Sequence, residues 1–507
     1  MGERQVYNPF LPLGEYVPDG EPHVFGDRVY LYGSHDAEGG HTFCMLDYVV
    51  YSAPVTDLTD WRCEGISYRA SQDPAYPRRK YMYAPDVVRG NDGKFYLYYC
   101  MSGEYGNGGY TEPVSVAVSE HPAGPFTYLG HVRNKDGSPM MRYVCFDPAV
   151  INDEGTIRLY YGTQYGFEEE ADFAVNDSYM QSEMAMFGRT REEIASYPDS
   201  IMGPVMLTLE DDMLTVKEEP HHIIPYRVKG TAFEAHPFFE ASSMRRVDGK
   251  YYFIYSSRQN HELCYATSIY PDRDFAFGGT IVSNADIGYR GRTEADKLNM
   301  TGTTHGSIEY INGEWYVFYH RLTHKSDYSR QACAERITIR EDGSIPQVEM
   351  TSCGLNGGPL RAEGRYPAVI ACNLTDGRMP HGCNSIFETS FPNVTNRGEE
   401  RFIGEIDEGT LIGYKYFSFR QVCGIGVTAR AETALNGVLE IRLSEKGEPA
   451  AVISLAQLGD QWKEYTTEID VTDGVYPVYF VYHGSGTIQL KEIFFIEKSG
   501  REENVSG

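Results

Sequence analysis

The sequence predicts an all-β protein, a five-bladed β-propeller followed by a β-sandwich of the jelly-roll type. Two observations lead to this fold class. A strand–turn–strand unit recurs five times in the first 350 residues, and short alternating strands of a different pattern fill the remainder. The composition agrees, because 40 Tyr, 24 Phe and 52 Gly suit many short strands joined by turns.

The clearest copy of the repeated unit is FFEASSMRRVDGKYYFIYSS, residues 238–257. Asp248 and Gly249 separate two apolar, aromatic runs, a pattern typical of a β-hairpin. Four other stretches have the same build: EPHVFGDRVYLYGS, APDVVRGNDGKFYLYYC, FDPAVINDEGTIRLYYG and HGSIEYINGEWYVFYHR. Repetition of a sheet unit at roughly even spacing indicates radial symmetry, and five units predict five blades.

A polar residue precedes the turn glycine in each repeat. These residues are Asp19, Asp86, Asp147, Glu240 and His305, which are 67, 61, 93 and 65 residues apart. The innermost strand of a propeller blade faces the central channel. The five side chains are therefore predicted to converge on one channel.

The change of strand pattern divides the chain. The predicted parts are a propeller over 1–352, a glycine-rich linker over 353–365, a β-sandwich over 366–499 and a tail over 500–507. The longest interval between repeats, before Glu240, contains the acidic stretch GFEEEADFAVNDSYM. It also contains a short helix, predicted from the capping box that Thr190 and Glu193 can form.

Charge and cysteine usage restrict the partners. A formal net charge of −27 argues against nucleic acid and anionic membranes, which are themselves polyanions. No apolar run approaches the roughly 18 residues that cross a bilayer, and no secretory signal is visible.

The ten cysteines are scattered without a CxxC pair, which favours reduced thiols in a cytoplasmic protein. The sequence also allows a homo-oligomer.

Carboxylates brought together from separate blades suit the cleavage of a glycosidic bond. That reaction needs a protonated acid for the leaving oxygen and an ionised base for water or for the anomeric carbon. Crowded carboxylates raise one another's pKa, which keeps one of them protonated near neutral pH. Opposite sides of a channel favour the separation of about 6.5–9.5 Å that admits a water and inverts the configuration.

Two other interpretations fit the same residues. Aspartate next to a strand often caps a turn, and clustered carboxylate oxygens can bind a metal ion. The residues alone also do not distinguish Asp86 from Asp147 as the third member of the set beside Asp19 and Glu240.

The five-unit array resembles glycoside hydrolase family 43, the five-bladed propellers that include xylosidases and arabinofuranosidases. The resemblance covers about residues 1–350. It is carried by YVPDGEPHVFGDRVYLYGSHD, MYAPDVV, FDPAVINDEGTIRLYYG, FFEASSMRRVDGKYYFIYSS and TTHGSIEYINGEWYVFYHR, in the order of the family.

The resemblance assigns roles within the set. Asp19 is similar to the general base that activates water, and Glu240 is similar to the general acid. Asp147 matches the carboxylate that orients the acid and adjusts its pKa, which leaves Asp86 as a substrate-binding or channel-lining residue. The family inverts the anomeric configuration, in agreement with the expected geometry.

Two further propeller residues are singled out. His305 matches the channel histidine that in many members contacts a central calcium ion or its waters, so the resemblance implies Ca²⁺ in the channel. A satisfied core histidine is the alternative. Arg321, in the YHR after the fifth strand, is expected to contact a sugar hydroxyl or a carboxylate, with an ordinary surface arginine as the alternative.

The C-terminal part resembles a family 6 carbohydrate-binding module, in FIGEIDEGTLIGYKYFSF and GDQWKEYTTEIDV. Trp462 remains as one stacking platform for a sugar. Other cleft positions depart from the module's pattern and carry Glu405, Leu411, Gln489 and Lys491. The domain is therefore expected either to bind glycan weakly or to serve a structural role.

These features favour an exo-acting, inverting β-xylosidase that releases xylose from the non-reducing end of short β-1,4-xylo-oligosaccharides. An α-L-arabinofuranosidase acting on arabinoxylan fragments is the alternative, because the two sugars present similar hydroxyls. A non-catalytic glycan-binding propeller is a more distant alternative. Retention of Asp19, Asp147 and Glu240 together argues against it, since a lectin has no need for all three.

Overall fold

A computed structural model describes residues 4–103, 110–165, 177–382 and 384–498. The predicted tail over 500–507 and residues 166–176 of the acidic stretch lie outside these ranges. Within them, no helix combines the length and apolar character needed to cross a bilayer. The nine cysteines described are all free thiols.

The first two blades are antiparallel four-stranded sheets. The first contains, in spatial order, β1 (Glu21–Phe25), β2 (Arg28–Tyr32), β3 (Tyr48–Pro54) and β4 (Arg62–Tyr68). The next strands along the chain are β5 (Tyr81–Met82), β6 (Asp86–Arg89), β7 (Phe95–Tyr99), β8 (Met101–Ser102), β9 (Ser115–Ser119) and β10 (Thr127–His131). The second blade has the order β6-β7-β9-β10, while β5 and β8 form a separate pair.

The other three blades follow the same plan. The third contains β11 (Ala149–Asp153), β12 (Thr156–Tyr161), β13 (Val205–Leu209) and β14 (Val216–His222). The fourth contains β15 (Phe238–Val247), β16 (Lys250–Ser257), β17 (Glu262–Ser268) and β18 (Ala276–Ser283). The fifth contains β19 (Ser307–Ile311), β20 (Glu314–Thr323) and β21 (Ser326–Ile337).

The first strands of the five blades contact one another in a closed ring, in the order β1, β6, β11, β15, β19 and back to β1. A parallel bridge between Gly20 and Gly306 joins the first blade to the last. Gly306 also packs tightly on β20 of its own blade, since a Cβ there would lie 1.8 Å from the carbonyl oxygen of Phe318. The predicted five-bladed propeller is confirmed.

The N-terminal segment lies along the open edge of the fifth blade. The Asn8 side chain donates to the carbonyl of Ala334 at 2.9 Å and accepts its N–H at 3.0 Å. The N–H of Phe10 donates to the carbonyl of Ala332, and its ring packs on Trp61 of the first blade. The N-terminal segment thus satisfies backbone groups of an edge strand and provides a second link between the fifth blade and the first.

Two helices lie in the third blade, between β12 and β13: α1 (Asp177–Phe187) and α2 (Arg191–Ala195). The capping box predicted from Thr190 and Glu193 begins α2. Buried apolar residues of both helices pack in one cluster with Val144 and Phe146. The insert therefore supports the wall of the propeller mouth beside Asp147.

The C-terminal sandwich consists of two six-stranded sheets over one apolar core. Its strands are β22 (Leu360–Arg361), β23 (Arg365–Pro367), β24 (Asn373–Thr375), β25 (Asn393–Arg397), β26 (Glu400–Ile406), β27 (Leu411–Phe419), β28 (Val422–Arg430), β29 (Leu435–Arg442), β30 (Ala451–Leu458), β31 (Lys463–Glu468), β32 (Gly474–Gly484) and β33 (Ile488–Glu497). One sheet has the order β22-β27-β32-β29-β30 with β24 on β27, and the other has the order β25-β26-β33-β28-β31 with β23 on β33. β22 lies within the segment predicted as a linker.

The sandwich packs on the propeller through buried polar contacts. The ammonium of Lys415, on β27, lies 3.0 Å from a carboxylate oxygen of Asp286 and 3.0 Å from one of Glu349. The Lys415 side chain is only 4% exposed. Asn373 adds a hydrogen bond to Asp286 at 3.1 Å. A buried cation between two carboxylates holds the two units together.

Replacing Lys415 with alanine should lower the free energy of unfolding by about 3–5 kcal/mol, because it leaves the buried Asp286 carboxylate without its cation. Urea-induced unfolding followed by fluorescence measures the loss. Lys217→Ala removes an exposed lysine on β14 and serves as the control, with an expected change below about 0.5 kcal/mol. Equal stability of the two variants would contradict a buried ion pair at the interface.

Candidate active site

A pocket that is partly open to solvent lies at the mouth of the propeller channel. Its ionisable lining residues are Asp19, Asp147, Glu240, His305 and Arg330. Its aromatic lining residues are Phe43, Tyr83, Tyr110, Phe146, Tyr165 and Phe239. Four of the five predicted channel positions therefore share one pocket, although 286 residues separate the first from the last.

Asp19 precedes β1 and is held as a carboxylate. Its backbone is in the left-handed region, with φ of 58°. A carboxylate oxygen lies 2.7 Å from Nη1 of Arg330, and His305 lies 3.9 Å away. Burial by itself would raise the pKa of Asp19, but the charge of Arg330 and then the nearby histidines outweigh it, and the pKa is lowered.

Asp147 connects the third blade to the fourth. It precedes β11 with φ of 44°, and its carboxylate accepts the N–H of Ala241 at 2.9 Å. Burial raises its pKa well above the usual range, and the negative charges of Glu240 and Asp19 raise it further. Asp147 thus fixes the backbone beside Glu240 and interacts with it electrostatically.

Glu240 lies at an irregularity near the start of β15. The pairing of β15 with β16 shifts on both sides of Glu240, and the next residue, Ala241, has φ of 68°. Such bulges redirect a side chain, here into the pocket. Burial and the charge of Asp19 raise the pKa of Glu240 to about 8.

The site therefore holds two carboxyl groups whose pKa values are displaced in opposite directions. Glu240 is protonated and Asp19 is ionised at neutral pH. Two carboxyl groups whose pKa values differ in this way provide an acid and a base at the same time. The positive φ angles at Asp19 and Asp147 mark backbone strain, which commonly accumulates at functional sites.

Arg330 was not predicted from the sequence, although it contacts Asp19. Its guanidinium also donates to both carboxylate oxygens of Asp36, at 2.8 and 3.0 Å, and lies 4.7 Å from the ring centre of Phe43. The sequence signal for Arg330 was an arginine in the middle of a long strand that is buried at nearly every position. A buried arginine needs carboxylate partners. The aromatic lining had a signal as well, because Phe146 and Phe239 each directly precede a predicted carboxylate.

His305 lies in the pocket as predicted. Burial lowers its pKa to about 4, which leaves the imidazole neutral, and Nδ1 lies 3.7 Å from a carboxylate oxygen of Asp147. Calcium prefers six to eight oxygen ligands. Among the described residues, His305 belongs to no cluster of three or more potential ligands, and Arg330 already neutralises Asp19. The protein groups around His305 therefore do not fit a calcium cage, and calcium stays a prediction to which no catalytic step is assigned.

Asp86, predicted to bind substrate or line the channel, lies outside the pocket and is fully buried. Its carboxylate accepts the N–H of Val150 at 2.7 Å and contacts His23 at 2.6 Å. It therefore ties the second blade to the first and third. The ligand atoms of Glu21, His23 and Asp86 lie within 4.8 Å of one another.

Arg321 and Trp462 also lie outside the pocket. The guanidinium of Arg321 is buried and donates to the carbonyls of Val369 and Ala371, at 2.6 and 2.8 Å. The predicted sugar contact is replaced by a contact between the two units, because the side chain on β20 faces the sandwich. The ring of Trp462 is covered by the guanidinium of Arg430 at 4.2 Å.

Comparison with known families accounts for this geometry. The profile of glycosyl hydrolases family 43 matches residues 8–183 and 187–345. The chain belongs to glycosyl hydrolases family 43. It is an inverting glycoside hydrolase, as the family resemblance implied.

The chain is similar to curated relatives over most of its length. A "Xylosidase/arabinosidase" of Thermoclostridium stercorarium is 41% identical over 96% of this chain and 98% of its own. A "Beta-xylosidase" of Xylanibacter ruminicola is 28% identical over 66% of this chain and 97% of its own. An "Arabinoxylan arabinofuranohydrolase" of Paenibacillus polymyxa is 26% identical over 94% of this chain and 72% of its own.

Solved structures resemble the propeller part. A GH43_1 enzyme from Xanthomonas citri is 25% identical with a TM-score of 0.52, over 70% of this chain and 96% of its own. A β-xylosidase/α-arabinofuranosidase from a compost metagenome, solved with xylotriose, is 25% identical with a TM-score of 0.50, over 69% of this chain and 99% of its own. These similarities agree with the five closed blades.

The displaced pKa values predict the pH profile. Activity should fall as the pH rises through about 8, because Glu240 then loses the proton that an acid must donate. On the acidic side, activity should persist down to the ordinary aspartate pKa of about 3.9 or below, because the pKa of Asp19 is lowered. Measurement of kcat/KM from pH 3 to 10 on a disaccharide, whose sugar leaving group needs the donated proton, checks both limbs. The alkaline limb should disappear in Glu240→Gln, and an unchanged limb would assign it to another group.

Proposed function

We propose that this enzyme is an exo-acting β-xylosidase that releases xylose from the non-reducing end of short β-1,4-xylo-oligosaccharides. The observation that carries the proposal is a single pocket in which Asp19 is ionised and Glu240 is protonated. The relatives named for xylosidase activity, including the one at 41% identity, support the choice of sugar.

The reaction follows from these protonation states. Asp19 accepts a proton from a water molecule as the water oxygen forms a bond to the anomeric carbon. Glu240 donates its proton to the glycosidic oxygen as the bond from that oxygen to the anomeric carbon breaks. The products are one xylose of inverted configuration and a chain shortened by one sugar, and proton return through water restores both carboxyl groups.

Asp147 and Arg330 act as positioning residues in this scheme. Asp147 holds the N–H of Ala241 and so orients Glu240. Arg330 stabilises the ionised form of Asp19, and the same guanidinium donates to the carboxylate of Asp36. Loss of Arg330 would raise the pKa of Asp19, because burial would no longer be opposed by the guanidinium charge.

Exo action is supported by the side chains that fill the channel beneath the pocket. The guanidinium of Arg245 spans the channel between Glu21, at 3.0 Å, and Glu309, at 3.4 Å. Ser243 and Ser307 are hydrogen-bonded to each other at 2.7 Å in the same layer. Because side chains fill the channel, a sugar chain can enter the pocket from its open end only.

The alternative substrate is a terminal α-L-arabinofuranose on arabinoxylan fragments. The names of two relatives favour it, the "Xylosidase/arabinosidase" at 41% identity and the "Arabinoxylan arabinofuranohydrolase" at 26%. The two sugars present similar hydroxyls to one pocket, so a bifunctional enzyme is consistent with the same residues.

For the C-terminal sandwich, which resembles a family 6 carbohydrate-binding module, we propose a structural role. The positions where a glycan cleft was expected are engaged internally. Arg430 covers Trp462 and donates to Gln489 at 2.7 Å, and Lys491 pairs with Glu400 at 2.8 Å. These contacts support packing over glycan binding at Trp462.

Paired nitrophenyl substrates distinguish the two sugars. We expect kcat/KM on nitrophenyl β-D-xylopyranoside to exceed that on nitrophenyl α-L-arabinofuranoside by about tenfold or more, a difference of about 1.4 kcal/mol in transition-state binding. Steady-state kinetics under identical conditions measures the ratio. A reversed ratio would favour the arabinofuranosidase, and no activity on either sugar would refute both proposals.

The acid role of Glu240 has its own test. Glu240→Gln should lower kcat/KM on xylobiose by about 10²- to 10⁴-fold, because a poor leaving group needs the donated proton. The loss on nitrophenyl xyloside should be much smaller, since nitrophenolate leaves without a proton. Glu154→Gln, which changes an exposed carboxylate on the outer rim, is the matched control. Equal losses on the two substrates would count against an acid at this position.

A further inference from the structure

One segment of the sandwich crosses onto the propeller beside the pocket. This crossing segment consists of residues 380–382 and 384–387, between β24 and β25. The N–H of Gly382 donates to the carbonyl of Thr301 at 2.8 Å, and the N–H of Phe387 donates to that of Lys325 at 2.8 Å. Short backbone bridges pair Thr301 with residue 381 and Ser326 with residue 386. The segment is therefore held from both sides by backbone contacts.

The path of the crossing segment permits little movement. A Cβ on Gly302 would lie 2.2 Å from a carboxylate oxygen of Asp327, and a Cβ on Gly382 would lie 2.6 Å from the ring of Phe387. Asp327 is buried, and its carboxylate accepts the N–H of Ser385 at 3.3 Å. Two glycines and a buried carboxylate thus fix where the segment meets the propeller.

The crossing segment brings Asn384 into the lining of the pocket. Asn384 has φ of 58°, a conformation that asparagine adopts more readily than most residues. Thr301 and Gly302, which hold the segment, lead directly into Thr303 and His305 of the pocket wall. The sandwich therefore contributes a side chain to a site that the propeller otherwise builds.

The position of Asn384 within the pocket follows from burial. Asp19, Asp147, His305 and Arg330 are buried at its base. The partly exposed lining residues are Tyr83, Tyr110, Tyr165, Glu240 and Asn384. Since a substrate enters from the open end and Glu240 acts at the bond to be broken, the three tyrosines and Asn384 surround the part of the substrate beyond that bond.

We propose that Asn384 binds the sugar on the leaving-group side of the cleaved bond and so makes the sandwich part of the substrate site. The inference rests on the proposed glycosidase function of the pocket. A carboxamide has two donors and one acceptor, which match neighbouring hydroxyls of a pyranose or furanose. The tyrosines around it offer faces and hydroxyls to the same sugar. Asn384 is thus a determinant of specificity for oligosaccharides over simple glycosides.

The test compares Asn384→Ala on two substrates that share the xylose to be released. On xylobiose, whose leaving group is a sugar, kcat/KM should fall about tenfold, the effect of one lost hydrogen bond to a hydroxyl in a closed site. On nitrophenyl xyloside, whose leaving group has no hydroxyls in those positions, it should change less than about twofold. Asn436→Ala, an exposed asparagine of the sandwich remote from the pocket, should alter neither. Equal losses on both substrates, or no loss on xylobiose, would overturn the inference.

Binding without turnover provides an independent measurement. In a Glu240→Gln background, titration calorimetry with xylobiose should give a Kd about tenfold weaker after Asn384→Ala is added. An unchanged Kd would refute the role of Asn384 even if the enzyme prefers another sugar. Failure of the unmodified enzyme to hydrolyse either xyloside would instead refute the proposed xylosidase, so the two failures are distinguishable.

Discussion

The chemistry of the pocket depends on one buried ion pair, that between Arg330 and Asp19. Asp19 and Asp147 are buried in the pocket and Glu240 is half-buried, and burial alone would favour the protonated form of all three. The guanidinium, 2.7 Å from Asp19, brings the pKa of that group below its usual value, whereas the pKa values of Asp147 and Glu240 stay raised. The ionised Asp19 in turn raises the pKa of Glu240. One positive charge therefore separates a base from an acid.

The backbone conformation at each carboxyl group of the pocket sets the position of that group. Asp19 and Asp147 have left-handed backbone angles, and a bulge beside Glu240 redirects that residue. These conformations are costly, so the surrounding sheets must hold them. The bridge between Gly20 and Gly306 provides part of that restraint because it brings the first and last blades into backbone contact.

The sandwich is integrated into this arrangement. Lys415 and Arg321 tie it to the propeller through buried polar contacts, and the crossing segment brings Asn384 to the pocket. The sequence left open whether this domain binds glycan weakly or serves a structural role, and these contacts support the proposed structural role. Its aromatic platform, Trp462, is covered by a charged side chain of its own fold.

Much of the fold could be predicted from local patterns. Five hairpins with a turn glycine and an aromatic strand predicted five blades, because strand alternation and turn chemistry are properties of neighbouring residues. The same repeats indicated Asp19, Asp147, Glu240 and His305, since each begins an inner strand. The capping box at Thr190 was predicted correctly for the same local reason.

Contacts between distant parts of the chain set the remaining features. Asp86 lies at the start of an inner strand, near the positions that the other three acids take in theirs, yet it ties blades together, because its carboxylate meets Val150 and His23 in the closed ring. Arg330, not Arg321, is the pocket arginine, because the two residues lie on opposite faces of the fifth blade and only Arg330 meets Asp19. Side-chain types and their spacing in the sequence predicted which chemistry was available. Only the closed propeller and the sandwich packed on it determine which groups meet and which carboxyl group is protonated.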